Sequence, residues 1–363
     1  MKIVYIARDV GLNVNGAGQV MHRNKVALQR ILGKDNVIEY ILPKSNLKSV
    51  LTSIIQAGSY GITKKEEQCI IEKIKQVKPD FVFIESSSYG SLYKKLDELN
   101  IKTICFAHNL DTLLSKQEIT SRSPLISIPK YLLTRYNEKK TSRYCNVLIC
   151  LSKRDSEGFK KQFGRSADMV VPITFPKRTI YVESINADRK PYLLFVGSDF
   201  FPNVEGIKWF IDNVAPYINI DIHIVGGCCN NPLLKKISIP KNVKILGYVD
   251  NLEYEYLEAV GVIAPIFKGS GMKTKTIEAM SYYKSIYGTD EAFAGIECDY
   301  SKIGGLCNNA EEFIKVLNGV NNKLNNVYTE DLFNRKYSDE QFEDNLRCLF
   351  KELFGYTVSN LSE

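Results

Sequence analysis

The stretch FKGSGMKTKTIEAMSYYKS, residues 267–285, concentrates residue types that handle a phosphorylated ligand. Gly269, Ser270 and Gly271 predict a turn that leads through Met272 into a helix, so free amides and the positive helix end face whatever binds there. At about 100° per residue, Gly271, Lys275 and Glu278 share one narrow sector, and Lys273 points about 200° away from Lys275. A row of amides, one ammonium and one carboxylate suits a diphosphate followed by the two hydroxyls of a ribose. The same i, i+3 spacing also suits an exposed Lys–Glu pair of little energetic weight.

Three other places set small or titratable residues at the end of an apolar run. In NGAGQVMHR, Gly16, Ala17 and Gly18 open a helix after the run at 2–7, where small residues let amides approach a phosphate or sugar; a surface loop is the competing reading. It is a poor dinucleotide fingerprint, because Met21 stands at the third glycine position, so Glu39 as a ribose-binding acid carries little weight. In FAHNLD, His108 and Asn109 follow an apolar strand and could donate to a sugar hydroxyl or phosphate, although a lone His is often only a well-bonded structural residue. In VGSDFFPNVEGIKWF a strand ends at Gly197 and Ser198 and a helix begins near Asn203, a residue that also suits an N-cap. Gly226 and Gly227 after the next strand leave the same choice between ligand approach and plain turn.

These residues need a scaffold of strand ends. KIVYIA (2–7), FVFIES (81–86), KTICFA (102–107) and NVLICLS (146–152) alternate with helical patterns, which predicts parallel sheets covered on both faces. After a polar, proline-containing stretch at 174–190, expected to be a linker, a second set follows: YLLFVGS (192–198), IDIHIVGG (220–227), NVKILGYV (242–249), GVIAPI (261–266) and SIYGT (285–289). Ser338 to Phe354 has apolar residues at helical spacing. A chain of 363 residues with 44% hydrophobic and 25% charged content fits two globular domains and excludes disorder. The apolar run at the start is too short for a signal peptide, and none reaches spanning length. Nine cysteines without a C-x-x-C pair predict buried free thiols in a reducing compartment and no metal site.

Charge is divided unevenly. Residues 1–180 hold 30 Lys and Arg against 16 Asp and Glu, a net +14, and the remainder holds 18 against 25, a net −7. A basic half suits solubility, and equally an anionic lipid surface or a diphosphate-bearing acceptor. The segment Ser123 to Tyr144 mixes apolar and basic residues. Its apolar positions predict the core face of an amphipathic helix, with a membrane-surface helix as the alternative.

GYVDNLEYEYLEAVGVIAPIFKGSGMKTKTIEAM, followed by GTDEAFAGIE, resembles the donor-binding region of GT-B glycosyltransferases, especially the retaining group called family 4. VGSDFFPNVEGIKWF looks like a polysaccharide-biosynthesis branch of that group. The resemblance covers residues 192–300 well and the N-terminal half in outline. It implies an α/β fold of two Rossmann-like domains facing each other across a cleft: residues 1–175 on the acceptor side, 176–335 for the nucleotide sugar, and a helix in 336–363 crossing back. Glu278 would bind the donor ribose, Gly269 to Met272 the sugar and diphosphate, and Tyr248 and Val249 the base, beside Gly197, Ser198 and Gly226. His108, Asn109 and Gly16 to Gly18 would approach sugar and acceptor from the first domain.

Two departures stand out. Ser270 occupies the position of the first glutamate of the family's usual pair, and Ser198, Val204 and Glu205 stand where Arg and Lys are common. The leaving diphosphate would then be met by Lys275, with Lys268 and Lys273 behind it. The sequence has no Asp-x-Asp triplet, so neither metal nor cofactor is expected beyond the nucleotide-diphosphate sugar donor. The cysteines point to a cytoplasmic enzyme and the charge split adds contact with the inner face of the cell membrane as an alternative to plain solubility, while the resemblance implies a glycan or lipid-linked acceptor, and no nucleic acid partner is expected. The departures leave two alternatives: a catalytically silent nucleotide-sugar-binding subunit, or another GT-B enzyme such as a nucleotide-sugar epimerase.

Overall fold

The computed structural model describes residues 1–9, 16–121, 123–178, 190–269 and 271–355. The chain forms two compact units, one comprising Met1–Pro172 and the chain from Phe342 onward, the other Ile173–Gln341.

The first unit alternates strand and helix: β1 (Ile3–Arg8), α1 (Gly16–Leu32), β2 (Val37–Leu42), α2 (Leu47–Ile55), α3 (Lys64–Val77), β3 (Phe81–Ile84), α4 (Gly90–Glu98), β4 (Thr103–Ala107), α5 (Asp111–Ser121), α6 (Pro124–Tyr144), β5 (Val147–Cys150), α7 (Lys153–Phe163) and β6 (Met169–Val170). Its sheet is parallel throughout, in the order β2-β1-β3-β4-β5-β6. Strands β3, β4 and β5 are buried at every residue because helices cover both faces, which is why they read as unbroken apolar runs. Strand β2 lies at an edge, and its VIEYIL alternates buried and exposed positions, so it does not stand out as an apolar run.

The second unit runs β7 (Tyr192–Val196), α8 (Phe201–Asn213), β8 (Asp221–Val225), α9 (Pro232–Lys235), β9 (Val243–Gly247), α10 (Leu252–Glu258), β10 (Gly261–Ala264), α11 (Thr274–Ser281), β11 (Ile286–Gly288), α12 (Tyr300–Ile303), β12 (Gly304–Leu306), α13 (Ala310–Leu317) and α14 (Val327–Lys336), and α15 (Asp339–Phe354) follows. The order β12-β11-β10-β7-β8-β9 is that of a dinucleotide-binding Rossmann sheet, whereas the first sheet has the flavodoxin-like order. In each, the order reverses beside the first strand, between β1 and β3 and between β7 and β10. In open α/β sheets such a reversal, at the carboxyl ends of the strands, is where ligands bind.

Three expectations need correction. Thr174 and Phe175, read as linker, are buried: the Thr174 hydroxyl donates to Asp339 at 2.7 Å, and Phe175 bridges Ser338. Residues 179–189 of that linker lie outside the described residues. Cys69 and Cys348 are exposed, while Cys105, Cys145, Cys150, Cys228, Cys229 and Cys307 are buried free thiols. Helix α6 is inverted relative to the core-face reading. It buries Ser127, Thr134, Asn137, Glu138, Thr141 and Ser142 with Leu133 among them, and exposes Leu125, Ile128, Leu132 and Tyr136. The reason is that its inward face bonds to loops: the Glu138 carboxylate accepts from the amides of Asp111 and Thr112 at the start of α5, Asn137 donates to the Gly58 carbonyl, and Thr141 to that of Ser87.

The stretch from Ser338 forms a helix as expected. Within the first unit the Phe350 and Phe354 rings of α15 lie 5.4 and 4.9 Å from Phe81.

Candidate functional site

In the second unit the loops at the carboxyl ends of β7 and β10 carry most of the expected residues. The Gly197 amide donates to the Val225 carbonyl at 2.9 Å, and the Gly197 carbonyl accepts from Cys228 at 3.0 Å. A Cβ on Gly226, whose φ is +102°, would stand 2.5 Å from the Gly197 carbonyl oxygen. Backbone approach alone therefore requires glycine there. Tyr248, 76% exposed, brings its hydroxyl to within 2.8 Å of where a Gly227 Cβ would be, and so presents a flat ring beside the ends of β8 and β9. Val249 next to it is half-buried.

Helix α8 starts at Phe201 with Phe200 at the cap position, so Asn203 is not the N-cap but a first-turn residue. Its amide nitrogen donates to the carbonyl and hydroxyl of Ser198, both at 3.1 Å, and its Oδ1 accepts from Lys275 Nζ at 2.6 Å. The Lys275 ammonium also stands 4.5 Å over the Phe195 ring. Burial pulls Lys275 down to about 7; the Lys273 charge adds to this, and Cys228 and Glu278 oppose it. An arriving anion would restore the proton.

Helix α11 begins at Thr274, with Lys273 at its cap position. Gly271 thus precedes the helix and does not share the sector of Lys275 and Glu278. Nor do those two make a surface ion pair: Glu278 Oε2 accepts from the Tyr256 hydroxyl at 3.2 Å. Tyr256 stacks on Tyr282, whose other neighbour is the Arg178 guanidinium at 3.9 Å. Burial raises the Glu278 carboxyl, against the Tyr256 hydrogen bond and the Arg178 and Lys275 charges.

Lys273 folds back to donate to the Gly271 carbonyl at 2.8 Å and to pair with Glu291 at 2.7 Å. That pins the turn, in which Gly269 and Gly271 take φ of +139° and +64° and Met272 is buried. Ser270 lies outside the described residues. Lys268 pairs with Glu205 at 2.8 Å, so of the three lysines proposed to meet a diphosphate only Lys275 has no carboxylate within ion-pair distance among the described residues.

The first unit has its own cluster at the ends of β1, β3 and β4. Glu85, a buried residue that strand reading absorbed into FVFIES, accepts from the Tyr5 hydroxyl at 2.9 Å and from Asn24 at 2.9 and 3.1 Å. His108 Nε2 lies 2.7 Å from its Oε2. His108 is accordingly a well-bonded residue, and the bond fixes its ring at the strand end. Gly16 and Ala17 open α1, which carries Asn24 to this carboxylate; Gly18 is buried and Asn109 half-buried. Glu85 could have been found from sequence, since it follows β3 as His108 follows β4.

Residues 190–318 match the family model described as "Glycosyl transferases group 1". No curated protein matches the sequence. Among solved structures the chain is similar to the lipopolysaccharide outer core galactosyltransferase WaaB (15% identity, TM-score 0.63, 97% of this chain and 100% of that one). It is also similar to HepE from Anabaena in complex with UDP and glucose (11%, 0.69, 97% and 100%) and to sucrose-phosphate synthase from Thermosynechococcus elongatus (13%, 0.70, 98% and 100%). At these identities the likeness concerns the fold, which is GT-B.

Proposed function

We propose that this chain, a group 1 glycosyltransferase with the GT-B fold, transfers a sugar from a nucleotide-diphosphate sugar bound at the carboxyl edge of its second sheet to a glycan or lipid-linked acceptor in surface polysaccharide synthesis. The observation that carries the reading is Lys275, a partly buried ammonium held by Asn203 at the point where the strand order reverses, with burial pulling its pKa down. Such a group stabilises the charge that grows on a departing diphosphate more than the charge of the ground state. Glu278 would accept the ribose hydroxyls, Tyr248 would cover the base, and the Gly269 to Met272 turn would supply amides.

HepE was crystallised with UDP and with UDP-glucose, which makes UDP-sugars the first donors to test here. Likeness to family 4 supports retention of configuration, and neutralisation by Lys275 and amides supports a metal-independent departure. No helix among the described residues is long and apolar enough to cross a membrane. The basic first half supports a peripheral location on the anionic inner face of the cell membrane.

A panel of UDP-, GDP- and dTDP-sugars tests the reading by thermal shift and by release of nucleotide. The true donor raises the melting temperature by mass action and is turned over when acceptor is added. Stabilisation without turnover for any acceptor would favour the silent binding subunit, and a panel that stabilises nothing overturns the donor site.

A further inference from the structure

We propose that the solvent face of α6 is the surface on which the protein rests against an anionic bilayer, its N-terminal half entering the headgroup layer and its C-terminal half meeting lipid phosphates. This rests on the peripheral location proposed above and names the element responsible.

Leu125, Ile128, Leu132, Tyr136, Lys139 and Arg143 fall within a sector about 80° wide on the helix and form one stripe about 27 Å long. The apolar members are 87%, 43%, 58% and 43% exposed in that order, and Ile126 beside them 62%. Lys139 and Arg143 are exposed as well. Single exposed apolar residues are ordinary on soluble proteins, but a continuous stripe marks a surface that something covers.

The inward face explains how the helix tolerates this. Its hydrogen bonds to the starts of α4 and α5 and to the chain after α2 hold it in place without an apolar face toward the core. The only acid of α6 is Glu138, which is fully buried in that network, so no carboxylate faces outward along the helix. Helix α2 packs against α6 and adds exposed Leu51 and Ile55, with Lys44 and Lys48 exposed just before them. Leucines at one end of a stripe and cations at the other, with no acid between, match the acyl boundary and phosphates of an anionic leaflet together.

Flotation of the full chain with phosphatidylcholine vesicles, and with the same vesicles carrying phosphatidylglycerol, tests this. Wild type should float with the anionic vesicles only. The pair Lys139→Glu and Arg143→Glu should lower the bound fraction about tenfold or more, since each cation near such a surface adds roughly 1 kcal/mol. The pair Leu125→Ser and Leu132→Ser should abolish flotation at both low and high salt, and both double variants should bind nucleotide sugar as wild type does. Equal flotation of wild type and variants would assign the contact to another surface and leave the membrane location standing. Failure of wild type to float with either vesicle would overturn both ideas. A dimer in sedimentation velocity that the serine variant dissolves would instead give this face to a second copy of the chain.

Discussion

Lys275 Nζ lies 2.6 Å from Asn203 Oδ1, which joins the helix after β10 to the helix after β7 where the strand order reverses. Asn203 in turn holds Ser198, so three separate loops and helix ends meet through one amide side chain.

Asn203→Ala should therefore damage both fold and rate. It removes the acceptor of a partly buried ammonium, which costs about 1–3 kcal/mol of stability in urea titrations. Turnover should fall on the order of tenfold to a hundredfold as Lys275 loses its orientation. A variant with unchanged stability and rate would show that the contact does not hold the site.

Glu278→Gln should separate binding from chemistry. The neutral amide keeps the shape but weakens the hydrogen bonds to two ribose hydroxyls, and hydrogen bonds to a charged group are worth roughly 1.5–3 kcal/mol. The donor KM is expected to rise about tenfold to a hundredfold, with kcat at saturating donor nearly unchanged. A fall in kcat at constant KM would move Glu278 from the ribose to the reacting centre.

In the first unit, His108→Ala should lower saturated turnover by roughly a hundredfold or more while the melting temperature stays close to wild type, because Glu85 keeps Tyr5 and Asn24. Glu85→Ala should do worse to the fold, by about 3–5 kcal/mol, since it leaves several buried donors without their acceptor. If His108→Ala is fully active, the histidine is structural and its bond to Glu85 serves packing alone.

The parts of the fold that are legible in the sequence are those where one signal dominates. Strands β3, β4, β5, β7 and β8, buried at all or nearly all positions, show as apolar runs; β2 alternates along an edge, and β12 is the tripeptide Gly304–Leu306 with no run to see. Helical periodicity identifies α6 but not which side of it faces the protein, because hydrogen-bonded loops took the place of an apolar core. At the site, Lys275 and Glu278 share α11, while the shared sector with Gly271 failed because the helix starts at Thr274. Asn203 and Tyr256 act through residues distant in sequence, and spacing along the chain carries no signal for such contacts; Glu85 is legible only as a strand-end residue like His108, and its bond to that histidine is not.

The acid–base state of Lys275 also bears on stability. Its folded value of about 7 lies below the unfolded 10.5, so the unfolded chain holds the extra proton between those pH values and the stability contribution of this group rises with pH across that window. Lys275→Met should flatten that rise in denaturation curves taken between pH 7 and 10.

Calorimetric titration of a nucleotide-diphosphate sugar at pH 6 and pH 8 tests the central claim most directly, because the diphosphate diester itself does not titrate in that range. If the protonated lysine meets the diphosphate, wild-type affinity should fall about tenfold from pH 6 to pH 8, following the protonated fraction of a group near 7. Lys275→Met should bind more weakly and show no such dependence. Equal affinity at both pH values in wild type, or a variant that binds as tightly as wild type, would contradict the placing of the donor diphosphate at Lys275.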